Sequence, residues 1–342
     1  MSNPKNPSMN RWLWYGYVAL GSFLLAWVIA NSNLDEVLTR LSDVGIVGFA
    51  VVLLIYATAF ALDATTWLLT LESVPIRFRW IIRLFGVRLA GEAFNEVLPG
   101  AGMGGEPLKA VILKRRYAIS LHESMASIIL IKTLNMMSLI AFVTVGFAII
   151  IVTDLLPKSA QYVAITGLVT LVVATGGFLG AQQMRLSTRV GRWLARSRFT
   201  TRFQGLVHHF EDMDDRLGRF YDQHRGRVGP ALALGFLNWF LGVAEVYFAM
   251  MFLGHPIDWA TAWVIESVVQ MVRIGVFFIP AGIGVQESAF VYLCTALTGN
   301  PSLGLAVSAV RRIRELAWIA LGFVFAWWYG ARRPDELLAH KQ

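Results

Sequence analysis

Runs of about 20 apolar residues with few charges recur along this chain, and they constrain its fold more than any other feature. A helix of roughly that length crosses a hydrocarbon layer about 30 Å thick. Inside hydrocarbon each backbone N–H and C=O must be satisfied within the segment, so such runs become helices. Six full spans are expected, at Trp12 to Ala30, Gly45 to Leu71, Ser124 to Val152, Ala160 to Ala181, Ala231 to Leu253 and Leu303 to Trp328. With 56% hydrophobic and 15% charged residues among 342, a water-soluble core could not hide the apolar surface. The chain therefore reads as an all-α polytopic membrane protein, a single membrane domain over residues 1–342. The first run lacks a small-residue cleavage pattern at its end and is read as a retained helix, not a signal peptide.

Two further apolar regions, Ile76 to Arg116 and Trp259 to Leu297, are interrupted by Pro and Gly. Each is expected to form a broken or re-entrant pair of half-helices. Loop charges assign the sides, because short loops rich in Lys and Arg stay cytoplasmic. Asp35, Glu36 and Asp43 make the first loop external, whereas Arg77, Arg79, Arg83, Arg88, Lys114, Arg115 and Arg116 place the first broken region inside. Ten Arg against five acids over 182–229 mark a basic cytoplasmic connection, and Arg332 and Arg333 keep the tail on the same side. The second broken region then enters from outside, and both termini are expected in the cytoplasm.

The sequence repeats accordingly. Leu98-Pro99-Gly100-Ala101-Gly102-Met103-Gly104-Gly105-Glu106 resembles Ile279-Pro280-Ala281-Gly282-Ile283-Gly284-Val285-Gln286-Glu287, with proline and glutamate seven apart in both. The offset of 181 residues between them brings Asp63 within one position of Glu245, and Lys132 within one position of Arg312. A first repeat over 45–152 and a second, inverted one over 231–328 are expected.

These loops and charges supply the candidate substrate-binding residues. Gly100, Gly102, Gly104 and Gly105 in the first loop, and Gly282 and Gly284 in the second, can expose several N–H groups at a helix start, where an anion is favoured. A second reading stays open, in which the glycines only permit a bend and close packing. Charges at bilayer depth are costly unless they face protein or water, so Asp63, Glu106, Lys132, Glu245, Glu266, Arg273, Glu287, Arg311, Arg312, Arg314 and Glu315 are candidates. About half should pair structurally, Arg311 with Glu315 at i, i+4 for example. Asn95 and Glu96, before Pro99, can line a cytoplasmic wall, and Glu92 is read as lying in headgroup water.

Other chemistries find little support. The string from Gly100 to Gly105 fits G-x-G-x-x-G but lacks the strand–helix setting of a dinucleotide site. His208 and His209 are adjacent, so on a helix they point apart, and no metal is expected there. His122-Glu123 lacks the second His of a zinc-protease motif, and no P-loop or nucleophile elbow occurs. The net charge of +8 lies mainly between apolar segments, which argues topology and not a nucleic-acid partner. Cys294 is the single cysteine, so no internal disulfide can form. Trp12, Trp14, Trp327 and Trp328 fit interfacial belts. No cofactor is expected.

Asn95 with Leu98-Pro99-Gly100, Gly104-Gly105-Glu106 with Leu108-Lys109-Ala110, and Ile279 to Gly284 with Glu287 resemble the lysylphosphatidylglycerol synthase transmembrane family, the flippase-like domain of multiple peptide resistance proteins. The resemblance covers roughly Gly45 to Trp328. It implies a bacterial inner-membrane flippase or lipid-transport protein moving an envelope phospholipid between leaflets. Glu106, Lys132, Glu287 and Arg312 match the family's charged sites, although Ile131-Lys132 stands where the family often has a Glu-Arg pair. The soluble aminoacyl-transferase domain of bifunctional members is missing, so the chain is expected not to be an enzyme. Membrane lipids are the expected partners, with an envelope-lipid synthase as a further candidate. Two alternatives stay open: a membrane enzyme on a lipid-linked substrate, and a non-transporting subunit of an envelope-lipid pathway such as that for hopanoids.

Overall fold

A computed structural model describes residues 34–97, 104–153, 155, 158–183, 225–276, 279 and 282–331. They form nine helices and, among the described residues, no strand: α1 (Leu34–Thr70), α2 (Phe78–Val97), α3 (Glu106–Tyr117), α4 (Leu121–Thr153), α5 (Lys158–Gln183), α6 (Arg225–Phe252), α7 (Trp259–Gly275), α8 (Val285–Thr298) and α9 (Pro301–Ala331). The expected span Trp12 to Ala30, the residues Pro99, Gly100, Gly102 and Pro280, the His208–His209 pair and most of the basic connection lie outside the described residues.

Among the described residues three helices are long and apolar enough to cross a membrane: Leu38–Thr70 within α1, Leu121–Thr153 which is α4, and Gly226–Phe252 within α6. The expected span at Ala160 to Ala181 falls in α5, whose apolar stretch is the shorter Ile165–Gly177. The span at Leu303 to Trp328 falls in α9, which has 31 residues, about 46 Å of helix, but carries Arg311, Arg312, Arg314 and Glu315 at its middle. Length suffices there and apolarity does not, because these charges face protein partners. The described residues are those of an all-α membrane protein.

Both interrupted regions are helix pairs, α2 with α3 and α7 with α8. Local chemistry ends them where they end. Pro107 sits in the first turn of α3, where no intrahelical N–H bond is lost. Ala118 closes α3 in the left-handed conformation at φ 58°, and the N–H of Ile119 returns to the Leu113 carbonyl at 3.3 Å. Asp258 caps α7 by accepting the Thr261 N–H at 2.7 Å, and Asn300 accepts the Leu303 N–H at 3.2 Å at the start of α9.

The order of helices is long, short, short, long on either side of α5: 37, 20, 12 and 33 residues in α1 to α4, then 28, 17, 14 and 31 in α6 to α9. Packing follows the same rule. With α1 to α4 matched to α6 to α9, α1–α2 has its counterpart in α6–α7, α2–α3 in α7–α8, and α3–α4 in α8–α9. Likewise α4–α6 corresponds to α9–α1, and α4–α7 to α9–α2, while α1 and α6 pack on each other. The eight helices thus form two halves of one contact pattern about the α1–α6 junction. Glycines let backbones close up at these junctions: a Cβ on Gly146 of α4 would meet Ser267 Oγ of α7 at 2.1 Å, and one on Gly322 of α9 would meet the Leu89 carbonyl of α2 at 2.4 Å.

Candidate functional site

The charges gather where the halves meet. In the first half, Asp63 of α1 is buried and pairs with Arg88 Nε of α2 at 2.7 Å, while its other oxygen accepts from Asn135 of α4 at 2.9 Å. Arg88 also reaches Glu92 at 3.4 Å, one helical turn on, and lies over the Phe60 ring. Glu106, in the first turn of α3, takes Lys109 and Lys132 at 3.0 Å each, and the amide of Asn95 at 3.2 Å. Three acids therefore stand against three bases.

Asn95 also fixes the loop. Its oxygen accepts the Gly105 N–H at 2.7 Å, tying the end of α2 to the start of α3. The two backbones touch: a Cβ on Gly105 would lie 1.8 Å from the Gly91 carbonyl oxygen. Gly104 lies in the turn just before.

In the second half, Arg311 Nη2 of α9 reaches Glu266 of α7 at 2.6 Å and Glu245 of α6 at 3.4 Å. Arg314 Nη1 bonds the same Glu245 oxygen, Arg314 Nη2 reaches Glu315 at 3.4 Å, and its guanidinium covers Tyr56 of α1 at 3.7 Å from the ring centre. Arg312 donates through Nε to Glu287 at 2.7 Å and through Nη1 to Glu315 at 2.8 Å. Glu287 in turn accepts the Gly284 N–H at 2.8 Å, with Gly284 at φ 80° opening α8. Gly282, at φ 58°, makes the tight turn before it, its N–H on the Ile279 carbonyl at 3.0 Å. Glu245, Glu266, Arg311 and Arg314 are each 4% exposed or less. Charges this deeply buried persist only when paired and hydrogen-bonded.

Glu106–Lys132 and Glu287–Arg312 are therefore equivalent pairs, each joining the start of the second half-helix to the long helix that follows. The correspondence of Asp63 with Glu245 is partial: Asp63 takes its arginine from α2 and an amide from Asn135 of α4, whereas Glu245 takes both its arginines from α9, the counterpart of α4. Three expectations need correction. Glu315 pairs with Arg312 and Arg314, and Arg311 turns instead to Glu245 and Glu266 across the bundle. Glu92 is not in headgroup water; Arg88 and Asn95 draw it onto the cavity wall. The N–H groups of Gly105 and Gly284 do not await an anion, because Asn95 and Glu287 already occupy them.

Between the halves lies a cavity of about 620 Å³, walled by Tyr56 of α1, Glu92 and Glu96 of α2, Asn238 and Glu245 of α6, and Arg273 of α7. Arg88, Arg311 and Arg314 complete its charged lining. A smaller one of about 80 Å³, lined by Asp63, Glu106 and Lys132, shares Arg88 and Glu92 with it. Across the main cavity Arg273 Nη2 faces Glu96 at 3.9 Å, an ion pair that joins the two halves. Two acceptors of its wall, Asn238 Oδ1 and Glu245 Oε1, are buried and find no partner among the described residues. They stand seven residues apart on α6, on one face two turns apart.

Sequence reasoning missed Arg88, counting it with the topology-setting arginines around it. Its i, i+4 relation to Glu92 was the available signal. It also missed Tyr56, Asn238 and Lys109 as site residues. Tyr56 and Asn238 carry nothing distinctive at their positions, whereas Lys109 lies inside the motif shared with the family, and its i, i+3 relation to Glu106 was the available signal.

With this geometry in view, the relatives are informative. The chain is 22% identical over 338 residues to a UPF0104 membrane protein of Methanothermobacter thermautotrophicus, covering 94% of this chain and 96% of that protein. It is 20% identical over 319 residues to UPF0104 membrane protein PH1989 of Pyrococcus horikoshii, covering 89% and 93% respectively. No solved structure matches it. The family model described as the lysylphosphatidylglycerol synthase TM region matches residues 14–322, and the chain belongs to that family.

Proposed function

We propose that the protein moves an envelope phospholipid between the leaflets of the cell membrane, as a multi-pass transport protein with both termini cytoplasmic. The observation that carries this reading is the cavity of about 620 Å³, lined by acids and arginines, between two matched halves of a membrane protein. That volume suits a headgroup and not two acyl chains, which would stay in the hydrocarbon. Donors on the headgroup, hydroxyl or ammonium, would satisfy Asn238 Oδ1 and Glu245 Oε1. Arg273, the lining guanidinium with the loosest carboxylate contact, would take the phosphate. The mechanism uses no covalent step. Headgroup transfer requires a polar path through the bilayer, and the two halves exchange which face of the cavity is open.

Reconstitution tests this. Labelled phosphatidylglycerol in proteoliposomes should exchange between leaflets with the native protein. Replacing both Glu106 and Glu287 by Gln, which weakens the paired links to α4 and α9, should slow exchange at least tenfold. Exchange unchanged by the double replacement would sink the mechanism.

A further inference from the structure

The charge balance of the network singles out Glu96. Among the described residues, the first half sets Asp63, Glu92 and Glu106 against Arg88, Lys109 and Lys132. The second sets Glu245, Glu266, Glu287 and Glu315 against Arg311, Arg312 and Arg314. Arg273 is the seventh base, and its ion pair among the described residues is with Glu96 at 3.9 Å. Eight acids thus stand against seven bases, and Glu96 is the acid whose basic partner lies furthest off.

Its surroundings offer little else. From α9 it faces Glu315 and Arg312, the latter already held by two carboxylates. From α1 the cavity wall brings Tyr56, on its own helix stands Glu92, and from α7 comes Arg273 at 3.9 Å, beyond hydrogen-bond distance. Glu96 also sits in the last turn of α2, where the helix dipole is negative and a carboxylate is disfavoured. Arg273 has the opposite relation to α7, a base in a last turn.

We infer that Glu96 is a proton-binding site linked to a phosphate subsite on Arg273. This rests on the transport reading for its biological meaning, but not for its test. With Glu96 ionised, the two side chains hold each other across the cavity and Arg273 is engaged. A proton taken up on the Glu96 carboxylate removes that attraction and frees the guanidinium for a phosphodiester oxygen. One proton and one anionic headgroup then enter together, and the same linkage lets a proton gradient drive lipid movement without a nucleotide.

The experiment is equilibrium binding of a short-chain fluorescent phosphatidylglycerol to the full chain in detergent micelles, as a function of pH. The phosphodiester keeps its single charge over this range, so any pH dependence belongs to the protein. One linked proton makes the affinity rise by up to tenfold for each unit of pH decrease while Glu96 is ionised in the free protein. Glu96→Gln should bind as tightly as the native protein at its acid limit, with no pH dependence. Arg273→Ala should bind at least tenfold more weakly at low pH. Native affinity that does not change with pH overturns the inference, as does Glu96→Gln retaining the native pH profile. Absence of binding at every pH also overturns it, by removing the phosphate subsite. Leaflet exchange decides the transport reading separately: linked binding with no exchange refutes transport and leaves this site standing.

Discussion

Glu245 holds two buried arginines on one oxygen, so its removal has a calculable consequence. Glu245→Gln keeps the volume and deletes the charge. Arg311 retains Glu266 at 2.6 Å and is little affected. Arg314 retains the Tyr56 ring and, of carboxylates, Glu315 at 3.4 Å, an acid that Arg312 also holds, at 2.8 Å. A guanidinium with 3% of its side chain exposed is then left largely uncompensated. Breaking one side of such a buried pair costs about 3–5 kcal/mol. At roughly 2 °C per kcal/mol for a chain of this size, the unfolding midpoint in detergent should fall by about 6–10 °C. Intrinsic tryptophan fluorescence on heating would read it. Glu245→Met combined with Arg314→Met removes the pair whole, and should lower the midpoint by less than half as much. A single variant within about 2 °C of the native protein, or a double variant worse than the single, would refute the account of this cluster as mutually neutralising.

Gly105→Ala places a Cβ 1.8 Å from the Gly91 carbonyl and must push α3 off α2, which should cost at least about 1–3 kcal/mol and slow lipid exchange; Gly176→Ala, with nothing within 4 Å, should leave both unchanged or slightly improved. Asp258, outside the spans, is held below the usual carboxylate range by hydrogen bonds from the Thr261 hydroxyl and backbone N–H. A lowered carboxyl stabilises above its unfolded range and loses that contribution as pH falls through its folded value. Asp258→Ala should therefore cost about 1 kcal/mol near neutral pH, and thermal unfolding curves of variant and native protein should converge below about pH 4.

The membrane class and the helix–loop–helix pairs were legible because hydropathy and Pro–Gly punctuation are local. So was the equivalence of Glu106 with Glu287 and of Lys132 with Arg312, since a constant offset survives in sequence and both pairs form. What sequence could not supply was the partner of each charge. Arg311 and Glu315 are one turn apart on α9, yet Arg311 satisfies carboxylates 45 and 66 positions away. Arg88 sits amid a run that reads as a cytoplasmic loop, and only packing of α2 on α1 reveals Asp63 beside it. Gly105 and Gly284 depart from expectation for a related reason. Each N–H is competent for an anion, but the chain's own Asn95 and Glu287 reach it first.

The charged middle of α9 also bears on how the protein is built. Each of Arg311, Arg312, Arg314 and Glu315 opposes insertion by roughly 2.5–3.5 kcal/mol when a helix enters lipid alone, on the order of 10 kcal/mol in sum. The carboxylates that cancel the arginines reside on α6, α7 and α8, all made earlier. Helix α9 thus depends on helices made before it for admission to the bilayer, and is expected to insert directly against a docked α6–α8 surface. Assembly then carries a built-in check, because α9 is not expected to enter lipid stably where α6 to α8 are misassembled.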